Sequence, residues 1–249
     1  MLRPHTVSSF VLAVTLVGVA WAGNNVENVV ADNQRRLTIA QTKVESGARA
    51  RNVAGGPISD YQQARPVFWR ELYAGGGETL YCAQRFGARK GKSINIEHVF
   101  PMSWVTRHLR CGERDECRRA STRFNRIEAD LHNLWPALKN VNKARRSHPF
   151  AVIKGEKQWL RGCDFEVDER RRVVEPREQA RGEIARSMFY MAKQYGLNIR
   201  ARQGETLKRW HRDDPVSSTE RRRNDLIERL QGNRNSYIDD PRSADRLRF

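Results

Sequence analysis

The spacing of apolar residues predicts several short elements along the chain. In the second half, Ile184, Met188 and Met191 recur at helical spacing, which predicts a helix over residues 177–195 that ends at Gly196. A further helix is expected around residues 215–231. Two short apolar runs between residues 164 and 177 flank a charged turn, a pattern typical of a hairpin or a loop.

The first half of the chain mixes helix and strand patterns. Ser59-Asp60 can cap a helix over residues 61–72, and the three glycines that follow would end that helix. Short apolar runs then predict two strands, over residues 79–82 and 94–100. Pro101 stops the second strand, because proline cannot donate to a sheet ladder.

The region that follows is rich in arginine and has no clear period up to residue 129. Further on, Pro136 suits the first turn of a helix, because that position needs no backbone donor. Leu134, Leu138 and Val141 would form one face of this helix. Taken together, the patterns predict an α+β fold that is mostly helical and contains a small β-sheet.

The first residues of the chain have the pattern of a secretory signal peptide. Arg3 and His5 precede an apolar run at residues 10–19, and Ala20-Trp21-Ala22 follows it. We therefore expect a signal peptide over residues 1–22 with cleavage after Ala22, an uncleaved amino-terminal anchor being the alternative. The apolar run is short for a transmembrane helix, and no later segment is apolar enough to be one.

The remaining chain divides into three predicted parts. Residues 23–58 are rich in asparagine and poor in apolar positions, so we expect a weakly structured extension. Residues 59–238 carry the apolar patterns of a folded domain, and residues 239–249 form a polar segment that is expected to be a surface tail.

Four cysteines in an exported chain predict two disulfides. Four cysteines allow three pairings. Cys111 and Cys117 enclose a short loop, residues 112–116, that is too polar for a core, so we favour their pairing, which leaves Cys82 with Cys163. A zinc site is the rival interpretation, but the chain has no C-x-x-C motif and no zinc-finger histidine spacing.

The charge of the chain favours a polyanionic partner. Lysine and arginine total 46 residues against 29 aspartate and glutamate, which gives a formal net charge of +17. Arginine dominates, and its planar guanidinium suits bidentate contacts to phosphate. A highly charged surface without any ligand would explain the same composition, so charge alone does not decide the function.

Three residues could perform phosphodiester hydrolysis together. His98 titrates near neutrality and can accept a proton from water, while Glu97 and Asn142 offer the oxygen ligands that Mg²⁺ prefers. Each of these residues alone has an ordinary explanation, such as surface hydrogen bonding. His132, in a later motif, could likewise either orient the site or only support a buried loop. Neighbours on a regular strand point to opposite faces, so Glu97 and His98 can share a substrate only if the strand ends there.

With these residues, the chain resembles the endonuclease I family of secreted and periplasmic bacterial nucleases, which use a ββα-metal, or His-Me, finger. The resemblance spans about residues 61–235 and rests on five blocks that occur in order. The blocks are Leu80-Tyr81-Cys82, Ile96-Glu97-His98-Val99-Phe100-Pro101, Asp130-Leu131-His132-Asn133-Leu134-Trp135-Pro136 with Val141-Asn142, Arg181-Gly182-Glu183-Ile184-Ala185-Arg186 with Phe189-Tyr190-Met191, and Gln231-Gly232-Asn233-Arg234-Asn235.

The resemblance implies a nuclease domain over residues 59–238 and a role for each residue of the motif. His98 would be the general base, and Glu97 and Asn142 would hold one Mg²⁺, which Mn²⁺ or Ca²⁺ could replace. The reaction would have little sequence preference and would leave 5′-phosphate ends.

Further roles are implied for residues around this centre. Phosphate binding is expected from Arg186, Arg145 and Lys139, and a role in orienting the site from His132 and Asn133. The expected partner is DNA, with RNA left open. The mature protein is expected to be a monomer that does not associate with a membrane.

The chain also departs from the family pattern. Ile96 stands where the family usually has Trp, and residues 139–145 replace two acids of the usual helix sequence while Asn142 is kept. These changes make the predicted site more basic. A non-catalytic nucleic-acid-binding protein on a nuclease scaffold is the alternative function, and retention of Glu97, His98 and Asn142 together argues against it.

Overall fold

A computed structural model describes residues 58–155 and 160–249. The predicted signal peptide at residues 1–22 lies outside the described residues, as does the extension at residues 23–58 apart from Ile58. Within the described part of the chain, no helix combines the length and the apolar composition needed to cross a membrane.

Helices dominate the fold, and their ends follow local sequence. Asp60 caps the first helix by accepting from the Gln63 backbone, and Ser217 with Glu220 forms a capping box at the start of the helix Ser218–Gln231. The helices are α1 (Tyr61–Val67, continued by a π-helical turn at Phe68–Leu72), α2 (Met102–Leu109), α3 (Arg114–Ala120), α4 (Thr122–Ala129), α5 (Lys139–Arg145), α6 (Glu178–Tyr195), α7 (Ala201–Asp213), α8 (Ser218–Gln231) and α9 (Ser236–Asp239), with 3-10 turns at Leu131–Asn133 and Pro241–Arg246.

Among the described residues the strands form three separate two-stranded antiparallel sheets. The pairs are β1 (Gly77–Glu78) with β2 (Arg85–Phe86), β3 (Ile94–His98) with β4 (Leu134–Leu138), and β5 (Phe165–Asp168) with β6 (Val173–Pro176). The α+β prediction is therefore confirmed, as are the hairpin within residues 164–177 and the helix that ends at Gly196.

Two predictions of secondary structure were wrong. Residues 79–82 form a turn, closed by a hydrogen bond from the Ala83 backbone N to the Thr79 backbone O, and their apolar character reflects burial of Leu80 and Tyr81. Pro136 lies in β4 rather than in a helix, and α5 begins at Lys139.

The position of Pro136 in β4 has a simple reason. Its carbonyl accepts from the Leu80 backbone N, on the side away from β3. Because the N and the O of one strand residue face the same side, the missing N–H of proline removes no hydrogen bond from the β3–β4 ladder.

The core lies between the β3–β4 pair, the β5–β6 hairpin and α6. One face of α6 is fully buried, including Ile184, Met188 and Phe189. The carboxy-terminal residues differ from the expected surface tail, because the Phe249 ring stacks on Phe189 and Ala244 is buried. The charged side chains of this segment lie outside, while its apolar side chains help to cover the core.

The two disulfides are Cys82–Cys163 and Cys111–Cys117, the pairing favoured from the sequence. The first joins residues 81 apart, whereas the second joins residues only 6 apart. In the chain-entropy account, the disulfide that closes the longer loop reduces the conformational entropy of the unfolded chain more strongly.

Removal of the long-range disulfide is expected to destabilise the protein more than removal of the short one. Replacing Cys82 and Cys163 by alanine should lower the free energy of unfolding by about 4–5 kcal/mol, against about 2–3 kcal/mol for Cys111 and Cys117. Chemical denaturation with guanidinium chloride measures both values. Equal losses, or a larger loss for the Cys111–Cys117 pair, would contradict this order.

Candidate active site

The predicted catalytic residues line one cavity of about 550 Å³. Glu97 and His98 are the last two residues of β3, and Asn142 comes from α5, the helix that follows β4. The strand–strand–helix arrangement therefore brings the three side chains to one place, although Asn142 is far from the other two in the sequence. The two neighbours can line the same cavity because β3 ends at His98.

Asn133 fixes the backbone just beyond His98. Its side-chain oxygen accepts from the Phe100 backbone N at 2.6 Å, and its side-chain nitrogen donates to the Phe100 carbonyl at 3.1 Å. Its own carbonyl accepts from the Val99 backbone N. Asn133 thus replaces the sheet ladder where β3 ends, which fits the predicted role in orienting the site.

The surroundings of the His98 ring favour one of its two neutral tautomers. Nε2 lies 3.0 Å from the carbonyl oxygen of Glu128, and a carbonyl only accepts hydrogen bonds, so Nε2 carries the hydrogen and Nδ1 keeps a lone pair. Burial of the ring, which is 8% exposed, and secondly the nearby Arg114 charge lower the pKa of His98 to about 4. His98 is therefore neutral near pH 7 and able to accept a proton.

Glu97 is a buried carboxyl, only 3% exposed. Burial raises its pKa, while Arg145 and the Tyr81 hydroxyl act in the opposite direction. The Tyr81 hydroxyl donates to Oε1 at 2.8 Å, and Arg145 Nη1 lies 3.4 Å from the same oxygen. One carboxylate oxygen is thus held in place by protein groups, which orients the other.

Hydrogen bonds from the side-chain nitrogen of Asn142 orient its amide group. Its Nδ2 donates to Asn95 Oδ1 at 3.0 Å and to the Ile96 carbonyl at 3.2 Å. Both contacts engage the nitrogen, so the amide oxygen is directed away from β3 as an acceptor. Asn95 itself lies on β3, which ties the position of this oxygen to the strand that carries Glu97.

The two oxygen groups fit a hard divalent cation. Carboxylate and amide oxygens are typical ligands of Mg²⁺, which keeps several waters when few protein ligands are available. Within residues 58–155 and 160–249, no cluster of three or more His, Cys, Asp and Glu side chains is arranged to hold a metal ion. Glu97 and Asn142 line this cavity, and their oxygens could hold such an ion.

Two arginines predicted to bind phosphate are buried and bonded to other groups of the protein. Arg186 is 1% exposed and forms a bidentate pair with Glu220 at 2.6 and 2.7 Å, and it also donates to the Asp214 carbonyl. Arg145 is equally buried and donates to the carbonyls of Val99 and His98. The prediction for Arg186 was wrong because its guanidinium is enclosed and paired with Glu220. Arg145 lines the cavity and its Nε has no hydrogen-bond partner among the described residues, so its phosphate-binding role stays a prediction.

Lys139 and His132 complete the predicted set. Lys139 is the exposed first residue of α5, and its phosphate-binding role stays a prediction. His132 does not line the cavity. Its buried ring lies 4.3 Å from the Tyr190 ring, and its Nε2 contacts the Asn233 carbonyl, so it supports the packing of α6 rather than orienting the site.

The sequence reasoning missed three residues that shape the site. Tyr81 fixes Glu97, and the Glu128 carbonyl fixes His98. Arg114 lines the cavity with its side chain 43% exposed, and its Nε is held by the Glu128 carboxylate. Tyr81 lies in a block quoted for the resemblance, but neither Glu128 nor Arg114 carries a local signal in the sequence.

Comparison with known proteins agrees with this geometry. A model of the family Endonuclease I matches residues 58–242. An extracellular deoxyribonuclease of Aeromonas hydrophila is 39% identical over 157 residues, which cover 61% of this chain and 67% of the relative. Endonuclease-1 of Buchnera aphidicola subsp. Acyrthosiphon pisum (strain APS) is 32% identical over 179 residues, 69% of this chain and 70% of the relative.

A third relative is named for a different nucleic acid. An extracellular ribonuclease of Bacillus amyloliquefaciens is 35% identical over 136 residues, which cover 47% of this chain and 46% of the relative. These matches confirm the predictions of the family, of a nuclease and of an exported protein. The ββα arrangement of Glu97, His98 and Asn142, the match over residues 58–242 and these relatives together identify the chain as a member of the Endonuclease I family.

Proposed function

We propose that this protein is an Mg²⁺-dependent endonuclease that hydrolyses phosphodiester bonds of DNA with little sequence preference. The observation that carries the proposal is the state of His98, whose Nε2 is bound to the Glu128 carbonyl so that Nδ1 is left to accept a proton. This nitrogen belongs to a residue that lines the same cavity as Glu97 and Asn142.

In the proposed reaction, His98 takes a proton from a water molecule as the water oxygen attacks phosphorus. The new P–O bond forms while the bond from phosphorus to the 3′ oxygen breaks, which leaves a 5′-phosphate and, after protonation, a 3′-hydroxyl. A divalent cation held by Glu97 and Asn142 would supply charge neutralisation at the phosphate and at the leaving oxygen. Arg114, at the cavity wall, would donate to the phosphate oxygens in place of Arg186.

RNA is a second candidate substrate. The observation that favours it is the relative from Bacillus amyloliquefaciens, which is named an extracellular ribonuclease. The catalytic step proposed for His98 does not use the 2′-hydroxyl, so the same groups would act on either nucleic acid. Cleavage of matched DNA and RNA strands by the purified protein decides between a DNA-specific and a general nuclease.

Loss of the His98 side chain should abolish most of the activity without abolishing binding. We expect His98→Ala to cut plasmid DNA about 10²–10⁴-fold more slowly in Mg²⁺, because a general base typically contributes that factor. EDTA should stop the wild-type protein. His108→Ala, at an exposed histidine of α2, is the matched control and should retain activity.

Two outcomes would refute this proposal. Plasmid that stays intact with the wild-type protein in Mg²⁺ would favour the non-catalytic nucleic-acid-binding protein. Cleavage that survives both EDTA and His98→Ala would place the chemistry elsewhere.

The Tyr81 hydroxyl should influence metal affinity through Glu97. We expect Tyr81→Phe to weaken metal binding about 10–100-fold, because it removes the group that orients the carboxylate. The Mg²⁺ concentration for half-maximal cleavage, and Mn²⁺ titration calorimetry, measure this effect. Tyr73→Phe is the control, since that hydroxyl contacts Arg223 instead. Unchanged metal dependence in Tyr81→Phe would contradict the role assigned to this tyrosine.

A further inference from the structure

A second cavity, of about 700 Å³, adjoins the candidate active site. Arg146 and Ser147 line both cavities, so the two spaces share a wall. The second cavity, here called the arginine groove, is lined by side chains from α2, from the turn after α5, from the β5–β6 turn and from the segment after α6. Its guanidinium groups are those of Arg107, Arg146, Arg171, Arg172 and Arg200.

The positive charge of the arginine groove is only partly balanced. Arg146 lies 3.5 Å from Glu169 and Arg171 lies 3.7 Å from Asp168, and such exposed pairs are weak. The three remaining arginines are exposed, and none of them forms an ion pair within the part of the chain that the structure describes: Arg107, Arg172 and Arg200. A concave surface lined by one sign of charge concentrates the attraction for anions.

One further observation points to a ligand in this groove. His148 lines it and is buried, yet its Nε2 has no hydrogen-bond partner among the described residues and lies 3.8 Å from Glu169.

We propose that the arginine groove binds the backbone phosphates that neighbour the scissile phosphate on the substrate strand. This inference rests on the proposed function. The continuity of the two cavities through Arg146 favours a polymer over an isolated anion, because one strand can occupy both. Guanidinium groups suit bidentate phosphate contacts and do not read base edges, so the groove adds affinity without sequence preference.

The test compares two pairs of substitutions that remove the same charge. The groove pair is Arg107→Gln with Arg172→Gln, and the control pair is Arg221→Gln with Arg229→Gln, at exposed positions on α8, a helix that does not line the groove. Each pair is combined with His98→Ala so that a labelled DNA duplex is bound but not cut. Thermal unfolding checks that both variants are folded.

Binding is measured as a function of salt. Each lost phosphate contact on duplex DNA reduces the slope of log K against log salt by about 0.9, so the groove pair should reduce it by about 1.8. The control pair should leave the slope nearly unchanged. Equal changes in the two pairs would show that only net charge matters, and an unchanged slope in the groove pair would also overturn the proposal.

The same pairs are then compared in the active protein with a duplex substrate. For the groove pair we expect KM to rise about tenfold while kcat stays within about twofold, because phosphate contacts outside the reacting centre affect binding uniformly. A fall in kcat with unchanged KM would contradict the proposal. If the wild-type protein binds with the expected slope but never cleaves, the proposed endonuclease function is refuted while the proposed groove contacts stand. If it cleaves and the groove pair behaves as the control pair, the proposed groove contacts are refuted while the endonuclease function stands.

Discussion

The antiparallel pairing of β3 with β4 is the constraint on which the site depends. The ladder runs from Ile94 opposite Leu138 to His98 opposite Leu134, and α5 begins directly after β4. The helix begins beside the start of β3, where the Lys139 backbone N donates to the Ser93 carbonyl, and it runs back along the strand, so that Asn142 contacts Asn95 and Ile96. A shift of one residue would turn Glu97 and His98 to the opposite faces, so the proposed site requires this register.

Buried groups hold the ladder and the catalytic side chains in one arrangement. Arg145 donates to the carbonyls of His98 and Val99 and also lies beside the Glu97 carboxylate. A buried carboxylate is costly unless it is paired and hydrogen-bonded, and here Arg145 and Tyr81 supply both. Burial still raises the pKa of Glu97, so a further positive charge near this carboxylate would stabilise its ionised form.

The disulfides attach to the same arrangement. Cys82 follows Tyr81 directly, so the Cys82–Cys163 bond anchors the segment that orients Glu97. The Cys111–Cys117 loop contains Arg114, which meets the Glu128 carboxylate, and the carbonyl of Glu128 in turn fixes the His98 ring. The same cross-links that restrict the unfolded chain therefore also hold the residues that support the proposed site.

Much of the site could be predicted from the sequence, and the rest depends on contacts between distant residues. Glu97, His98 and Asn142 lie in recognisable blocks, and their shared cavity was expected. Arg186 was expected to bind phosphate, but it pairs with Glu220, 34 positions away, and no local pattern reveals such a partner.

The secondary structure around β4 was also decided by contacts between distant residues rather than by the local pattern. Leu134, Leu138 and Val141 fit a helical period, yet the first two belong to β4. Pairing with β3 overrides the local pattern there, and Pro136 is tolerated because its nitrogen faces away from the ladder.

The most direct test of this account is to locate the metal ion. Crystals soaked in Mn²⁺ and measured near the manganese absorption edge should give one anomalous peak between the Glu97 carboxylate and the Asn142 amide oxygen. Crystals of Asn142→Leu should lose that peak while the β3–β4 pair stays unchanged. A peak bound by other residues, or a peak that survives the loss of Asn142, would contradict the account.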